Sequence, residues 1–130
     1  MSAFAAALND YQQRSGRSQR TVARAADLDP GRYSRLLSGT HAPASREQVI
    51  ALAAALRLSP RETDHLVAAA GFLPPGLEAV GVHDPAVAAL IQALTAPELD
   101  EPARAALRRT VIDIAAHWHA RRGATSNERE

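Results

Sequence analysis

The stretch that decides the fold is residues 18–39, SQRTVARAADLDPGRYSRLLSG. Ser18 is a favourable helix N-cap residue, and the apolar residues that follow it recur at helical spacing. Asp29 followed by Pro30 marks a second helix start, because Asp caps a helix well and Pro fits the first helical position. Gly39 is suited to end that second helix. The stretch therefore predicts two short helices joined by a turn of three residues.

Further helix signals flank this stretch on both sides. A first helix is expected over about residues 3–14. Ser45 with Gln48 forms a capping box that predicts a fourth helix, and Ser59 with Glu62 forms another that predicts a fifth. The expected core of these five helices is apolar: Phe4, Leu8, Tyr11, Val22, Ala23, Ala26, Tyr33, Leu36, Leu37, Val49, Leu52, Ala53, Leu56, Leu66, Ala69 and Ala70.

The chain is organised differently after residue 73. A Pro-Pro-Gly sequence interrupts the helical pattern, so residues 74–83 are expected to form a linker that follows a domain of residues 1–73. A sixth helix is expected from residue 84 to about 95, and a seventh from residue 100 to about 122. This C-terminal helical extension of residues 84–122 is expected to precede a disordered tail of residues 123–130, which is small and polar.

Composition favours an all-α protein and excludes several other classes. Ala occupies 29 of the 130 positions, whereas aromatic residues make up 4%, which favours closely packed helices. The absence of Cys excludes disulfides, thiol catalysis and Cys-ligated metal sites. The longest apolar run, residues 49–56, is far shorter than the roughly 18 residues that span a bilayer. A soluble, cytoplasmic protein without a membrane segment is therefore expected.

The formal net charge is +1, but the basic residues are unevenly distributed. Residues 1–72 contain nine Arg against six acidic residues, whereas residues 73–130 contain six Arg against eight. Within residues 14–35, six Arg stand against two Asp. This basic segment would suit a phosphate backbone, and it is equally compatible with a solvated helix surface.

Two short helices joined by a three-residue turn have the geometry of a helix-turn-helix motif. The run SQRTVARAADLD of residues 18–29, with YSRL at residues 33–36, Gly39 and Pro43, resembles the Cro/repressor-like helix-turn-helix family, also called the xenobiotic response element (XRE) family. The similarity continues through LAAALRLSPRETDHLVAAAGF, residues 52–72, so that it covers about residues 3–73. The resemblance implies a five-helix, lambda-repressor-like domain, followed here by a C-terminal two-helix extension.

The resemblance implies a transcriptional regulator that binds specific sequences in double-stranded DNA, with the third helix, about residues 30–38, in the major groove. The face of this helix opposite its apolar residues contains Gly31, Arg35 and Ser38. Arg35 can donate two hydrogen bonds to guanine, and Gln19 matches the family's phosphate-contacting glutamine. The complete set of residues expected at the DNA is Ser18, Gln19, Arg20, Gly31, Arg32, Ser34, Arg35, Ser38, Thr40 and His41.

Three departures from the family pattern bear on function. Asp27 stands in the turn where relatives commonly have Gly, and Asp tolerates a left-handed conformation better than most residues. Pro30 and Gly31 occupy positions where many relatives place base-contacting polar side chains. Base specificity is therefore expected to be modest or partly indirect. Leu37 stands where relatives often have Glu, so apolar packing is expected to replace an ion pair with the first helix.

The seventh helix contains a stripe of apolar residues at alternating four- and three-residue spacing: Leu107, Val111, Ile114 and Trp118. Ile112 belongs to a smaller apolar patch nearly opposite. Each face is compatible with packing inside the subunit or with an interface to another chain. The interpretations left open are a homodimer, a contact with another protein, and packing within the chain alone.

The main rival to DNA binding is a protein-interaction module on the same fold, such as an antitoxin or an adaptor that binds a toxin, a sigma factor or a polymerase subunit. An enzyme is not expected, because the sequence has no recognisable nucleophile motif or phosphate-binding loop. His117 and His119 would point about 200° apart on a helix, so they cannot share a metal ion. No catalytic residue, metal ligand or cofactor is therefore predicted.

Overall fold

The computed structural model describes residues 2–127, and their side chains as far as Gly123. This part of the chain contains eight helices and no strand: α1 (Ala3–Ser15), α2 (Gln19–Ala25), α3 (Pro30–Ser38), α4 (Arg46–Ala55), α5 (Pro60–Ala69), α6 (Pro75–Val80), α7 (Pro85–Leu94) and α8 (Glu101–Asn127). The predicted all-α class is confirmed. None of these helices combines the length and the apolar character that crossing a bilayer requires.

The chain divides into a first unit that ends at Gly81 and a second unit that begins at Val82. In the first unit, α1 packs against α3 and α5, α2 against α3 and α4, and α5 against α4 and α6. In the second unit, α7 packs against α8. The buried apolar residues in the described part of the chain all belong to the first unit: Phe4, Ala5, Leu8, Tyr11, Val22, Ala23, Ala26, Tyr33, Leu36, Leu37, Val49, Leu52, Ala53, Ala55, Leu56, Leu66 and Val67.

The helix starts follow the predicted capping residues. The side chain of Ser59 accepts the N–H of Glu62 at 3.2 Å, and the Glu62 carboxylate accepts the N–H of Ser59 at 3.0 Å, which completes a capping box. This backbone hydrogen bond holds the pKa of Glu62 below its usual range. The capping box predicted for α4 is only half formed, because the Gln48 side chain accepts the N–H of Ala44 rather than that of Ser45.

The buried face of α5 differs from the prediction. Leu66 and Val67 are fully buried, whereas Ala69 and Ala70 are only half-buried. The reason is that α5 packs against α4 and α1 at once, so two adjacent positions on its surface are both covered. Helical spacing alone does not show how many helices pack against α5.

The predicted linker contains the short helix α6, which packs against α5. Pro75 occupies the first helical position, where its missing N–H costs no hydrogen bond. The N–H of Gly76 donates to the Asp64 carboxylate at 2.9 Å, and Arg46 forms an ion pair with Glu78. These contacts attach α6 to the first unit, which therefore continues beyond the predicted boundary at residue 73.

Helix α8 is longer than predicted. It continues to Asn127, whereas the sequence pattern predicts an end at about Arg122 and disorder from Gly123. No proline follows Arg122, and a single Gly lowers the stability of a helix without ending it. The last three residues of the predicted tail, 128–130, lie outside the described residues.

Candidate nucleic-acid interface

The turn between α2 and α3 is a left-handed helix ending. Asp27 has a φ of 56°, and its N–H donates to the carbonyl of Arg24 at 3.1 Å. The N–H of Leu28 donates to the carbonyl of Ala23 at 2.8 Å. This pair of hydrogen bonds forms a Schellman motif, which satisfies two carbonyl groups at the end of α2. The left-handed conformation predicted for Asp27 is confirmed. It ends α2 and changes the direction of the chain, so that α3 begins at Pro30.

Helix α3 begins and ends where the sequence predicted. The Asp29 carboxylate accepts the N–H of Arg32 at 3.1 Å, and Pro30 occupies the first turn. At the other end, Gly39 is left-handed with a φ of 78°. The helix spans nine residues, so only about two and a half turns can enter a groove.

Two side chains of α1 hold α3 in place. The hydroxyl of the fully buried Tyr33 donates to Gln12 Oε1 at 2.5 Å, and Gln12 Nε2 donates to the carbonyl of Arg17 at 2.7 Å. Burial raises the pKa of Tyr33, so its hydroxyl stays protonated and remains a donor. Asn9 Nδ2 donates to the carbonyl of Leu37 at 2.6 Å. Helix α3 is therefore hydrogen-bonded to α1 near its middle, through Tyr33, and near its C-terminal end, through Leu37.

Sequence reasoning did not identify Gln12 and Asn9. Gln12 lies one turn after the core residue Leu8, on the apolar face of α1, and a polar residue there is a signal that a buried partner is needed. The partner itself, Tyr33, could not be named from spacing, because it is 21 residues away in sequence. Leu37 is buried as expected from its apolar character.

The face of α3 that points away from the core contains the residues that the helical wheel predicted. Gly31, Ser34, Arg35 and Ser38 are exposed, and Arg32 is half-buried. Ser38 is partly engaged, since its hydroxyl donates to the carbonyl of Arg35 at 3.0 Å and lies 2.7 Å from the hydroxyl oxygen of Thr40. Ser34 and Arg35 are the exposed side chains of this face without such local hydrogen bonds in the described part of the chain.

The other predicted contact residues lie on the surface at the ends of the motif. Ser18, Gln19 and Arg20 are exposed around the start of α2, and the Ser18 side chain caps this helix by accepting the N–H of Thr21 at 3.1 Å. Thr40 and His41 are exposed after the end of α3. The hydroxyl of Ser18 is already hydrogen-bonded, whereas the side chain of Gln19 has no hydrogen-bond partner among the described residues.

The arginines of the first unit either have a partner or form no ion pair with a described residue, and Arg57 and Arg61, which lie outside α2 and α3, belong to the second group. Arg14 forms ion pairs with Asp10 and Glu62, Arg46 forms one with Glu78, and Arg17 donates to the carbonyl of Ala55. Those of α2 and α3 form no ion pair with any described residue: Arg20, Arg24, Arg32 and Arg35. The two helices of the motif therefore present four guanidinium groups that lack a fixed partner.

Asp27 and Asp29 moderate this positive charge. Together with Arg20, Arg24 and Pro30, they line a shallow depression where the turn meets the start of α3. The carboxylates lie beside the arginines without forming an ion pair with them. With four arginines against these two carboxylates, residues 18–39 keep a formal net positive charge.

The candidate interface residues of α8 differ in exposure along the helix. Leu107 and Val111, near its beginning, are half-buried, whereas Ile114 is 54% exposed and Trp118 is 57% exposed. Ile112, on the opposite face, is 65% exposed. The described part of the second unit therefore leaves the later half of the stripe uncovered.

The turn between α7 and α8 is closed by one arginine. Arg104 donates hydrogen bonds to the carbonyls of Leu94, Ala96 and Leu99, at 2.7 to 3.1 Å, and it forms an ion pair with Glu101. Its guanidinium satisfies carbonyl groups that the end of α7 and the following loop leave without helical partners. This connection fixes the start of α8 beside the end of α7.

Comparison with protein families gives a match to the first unit. Residues 3–66 match the family model described as a helix-turn-helix domain. Comparison with the curated proteins found no significant match, and comparison with the solved structures also found none. The match covers α1 to α4 and most of α5, which are the helices that form the core and present the exposed face of α3. Residues 3–66 therefore form a helix-turn-helix domain within the helical part of the chain that the structure describes.

Proposed function

We propose that this protein is a sequence-specific transcriptional regulator of the Cro/repressor-like (XRE) family, which binds double-stranded DNA in the cytoplasm as a homodimer. The observation that best supports DNA binding is the group of four arginines without ion pairs on α2 and α3. Guanidinium groups that have no partner in the protein can neutralise phosphates and contact base edges. The match to a helix-turn-helix domain supports the same conclusion.

In this proposal, α3 enters the major groove and α2 lies across the backbone. Ser34 and Arg35 contact base edges, because they are exposed on the outer face of α3. Gln19 and Arg20 contact phosphates beside the start of α2, and Arg32 contacts a phosphate at the edge of the groove. Ser18, Gly31, Ser38, Thr40 and His41 complete the contact surface.

The experiment that tests DNA binding begins with selection of bound genomic DNA fragments. The affinity of the full chain for a selected duplex is then measured at increasing salt concentration, where each neutralised phosphate contributes a slope of about −0.9. Arg20→Gln is expected to reduce the magnitude of this slope by about one unit. Arg61→Gln, an exposed arginine on α5, is the matched control and should leave the slope unchanged. Binding that does not depend on salt would contradict the proposal.

Two further variants separate base contacts from phosphate contacts. Arg35→Ala is expected to lose roughly 1–3 kcal/mol of binding free energy on the selected duplex and little on random DNA. Gln19→Ala is expected to weaken both about equally, since a phosphate contact carries no sequence information. Equal losses for Arg35→Ala on the two duplexes would contradict its contact with a base.

The homodimer is supported by the apolar surface of the second unit. Helix α7 has no charged residue, yet none of its residues is buried. It spans ten residues, about 15 Å, whereas α8 spans 27 residues, about 40 Å. Helix α7 is thus too short to cover all of α8, and Ile114 and Trp118 lie on the part left exposed. A second copy that supplies the same apolar face would cover both in a symmetric interface.

A protein-interaction module remains the second candidate function. Two observations favour it: Pro30 and Gly31 offer no polar side chain at the start of α3, and the second unit exposes large apolar residues. The partner in this case is a toxin, a sigma factor or a polymerase subunit. A stoichiometric complex with such a protein, together with no salt-dependent affinity for DNA, would favour this function over transcriptional regulation.

A further inference from the structure

Gly31 leaves a gap on the first turn of α3, and two opposite charges border that gap. A Cβ atom on residue 31 would lie 2.9 Å from Oδ2 of Asp29 and 3.6 Å from Nη1 of Arg35. The guanidinium of Arg35 therefore lies one turn toward the N-terminus of α3, beside the bare backbone of Gly31. Long side chains on helices characteristically point in this direction.

Asp29 fixes the position of its own carboxylate. The Oδ2 atom that faces Gly31 also accepts the N–H of Arg32 at 3.1 Å, as the N-cap bond of α3. Its negative charge attracts the guanidinium of Arg35 across Gly31. Neither group forms an ion pair with any described residue, so the donors of Arg35 stay available to a ligand.

We propose that Gly31 and Asp29 pre-position Arg35 to contact a guanine at the start of the recognition helix. This inference rests on the proposed DNA-binding function and names the base that the surface recognises. Guanine fits because its O6 and N7 atoms accept the two parallel hydrogen bonds that a guanidinium donates. Gly31 determines specificity through the side chain it lacks, since atoms beyond a Cβ would occupy the place of the Arg35 guanidinium.

Pre-positioning also explains how a short recognition helix without a polar side chain at its first two residues can discriminate between bases. An arginine that is already ordered loses less conformational freedom on binding than one that moves freely. Asp29 is a positioning residue in this arrangement, because it acts on DNA only through Arg35. The charge of Asp29 would itself repel phosphates, so its favourable effect is confined to discrimination between bases.

The test uses the full chain and duplexes selected by it from a random DNA library. Each G·C pair of the selected duplex is replaced in turn by A·T, and the affinity ratio is measured by fluorescence anisotropy for the wild-type chain and for Arg35→Ala. This comparison identifies the base pair whose discrimination depends on Arg35. Gly31→Leu and Gly31→Ala are then compared at that pair. Gly31→Ala isolates the effect of the atoms beyond the Cβ, because both variants bring a Cβ to 2.9 Å from Oδ2 of Asp29, which must shift, and to 3.6 Å from Nη1 of Arg35, which is an ordinary contact.

The wild-type chain is expected to prefer guanine at that pair by roughly tenfold or more. Arg35→Ala and Gly31→Leu should both abolish the preference, whereas Gly31→Ala should retain part of it, because its Cβ displaces the Asp29 carboxylate but leaves space for the Arg35 guanidinium. Asp29→Asn retains a capping side chain without the charge, so it should reduce the preference without abolishing it. Gly31→Leu should lose less affinity for a random duplex than for the selected duplex, because the guanine contact contributes only on the selected duplex.

Several outcomes would overturn the inference. A Gly31→Leu chain that keeps the guanine preference would show that the gap is not needed, and an equal loss on random DNA would show that leucine blocks docking instead. If Arg35→Ala changes no G·C preference of a chain that binds DNA, Arg35 is not the guanine contact, although DNA binding stands. If the wild-type chain shows no salt-dependent DNA binding, the proposed function fails and the inference fails with it. If Gly31→Leu does not fold, the Asp29→Asn variant provides the test. An unchanged guanine preference in Asp29→Asn would then overturn the inference.

Discussion

The two units of this chain bury their apolar residues very differently. The first unit encloses Tyr33, Leu52 and Leu66 without any exposure, although α2 and α3 are short. In the second unit, no residue between 82 and 123 is buried, although α7 is uncharged and α8 spans 27 residues. Helix length therefore does not determine core formation here. What matters is the number of neighbours, because five helices enclose a volume that two helices cannot.

This contrast means that the second unit lacks the hydrophobic stabilisation that normally offsets the loss of conformational entropy on folding. Isolated helices depend on tertiary packing for most of their stability in water. The hydrogen bonds of Arg104 define the turn between α7 and α8, but one turn cannot replace a core. The second unit is thus expected to gain most of its stability from the surface that packs against Ile114 and Trp118.

The largest expected effect is on the free energy of unfolding, when a buried residue of the first unit is truncated and compared with an exposed residue of the second unit. Leu52→Ala should lower the free energy of unfolding by about 2–5 kcal/mol, because Leu52 is fully buried and the change leaves a cavity. Ile114→Ala should change the stability of the first unit by less than about 0.5 kcal/mol. Urea denaturation followed by tyrosine fluorescence measures both. Comparable losses for the two variants would contradict the division into units.

The second prediction concerns a glycine in each unit. Gly76→Ala should destabilise α6 by about 1–3 kcal/mol, because the new Cβ would lie 2.3 Å from Oδ2 of Asp64. A Cβ on residue 123 meets no described atom within 4 Å, so Gly123→Ala should stabilise α8 by about 0.5–1 kcal/mol. Amide hydrogen exchange in each helix gives the measurement. Slower exchange in α6 of Gly76→Ala would contradict the docking of α6 on Asp64.

A third prediction tests whether the second unit forms the dimer. The full chain should be a homodimer, and a fragment that ends at Gly81 should be a folded monomer, because the buried core found among the described residues lies entirely before Gly81. The fragment should bind a palindromic duplex at least about tenfold more weakly, since the two half-sites are no longer linked. Sedimentation equilibrium and fluorescence anisotropy measure these properties. A full chain that is monomeric, or a fragment that dimerises, would exclude α8 from this role.

The smallest expected effects lie in turns of the first unit, which contain two residues other than Gly in a left-handed conformation. Asp27 has a φ of 56° and Arg57 has a φ of 57°. Arg57→Gly should raise stability by about 0.5–1 kcal/mol, and Asp27→Gly should be neutral or slightly stabilising, because Asp tolerates this conformation better than Arg. Asp27→Val should be destabilising. Thermal melts compare the variants, and a Val variant that melts no lower would contradict the turn geometry.

Much of the first unit could be predicted because its signals are local. Caps such as Ser18, Asp29 and Ser59 act on N–H groups three residues away, so sequence spacing determines them almost completely. The left-handed turn at Asp27 follows from the same short-range geometry. The exposed face of α3 could also be predicted from the sequence. Its three apolar residues mark the buried side, and the helical period then identifies the residues on the exposed side.

Features that depend on residues distant in sequence could not be predicted. The Pro-Pro-Gly sequence interrupts a helical pattern, and only the Asp64 carboxylate, 12 residues earlier, shows why a short helix forms there. The hydrogen bond from Tyr33 to Gln12 required knowledge of which helices pack together. Likewise, the position of the Arg35 guanidinium over Gly31 depends on a side-chain conformation, which no pattern of residue types determines.

The hydrogen bond from Asn9 to the carbonyl of Leu37 has a consequence for the evolution and engineering of this surface. A main-chain carbonyl is present whatever the side chain at that position, so this attachment of α3 does not depend on the residues that face outward. The residues at positions 32, 34 and 35 can therefore change while α3 stays packed against α1. A library randomised at these three positions should yield mostly folded chains with altered DNA preferences. The outward-facing residues of α3 can thus be exchanged while the rest of the first unit stays the same.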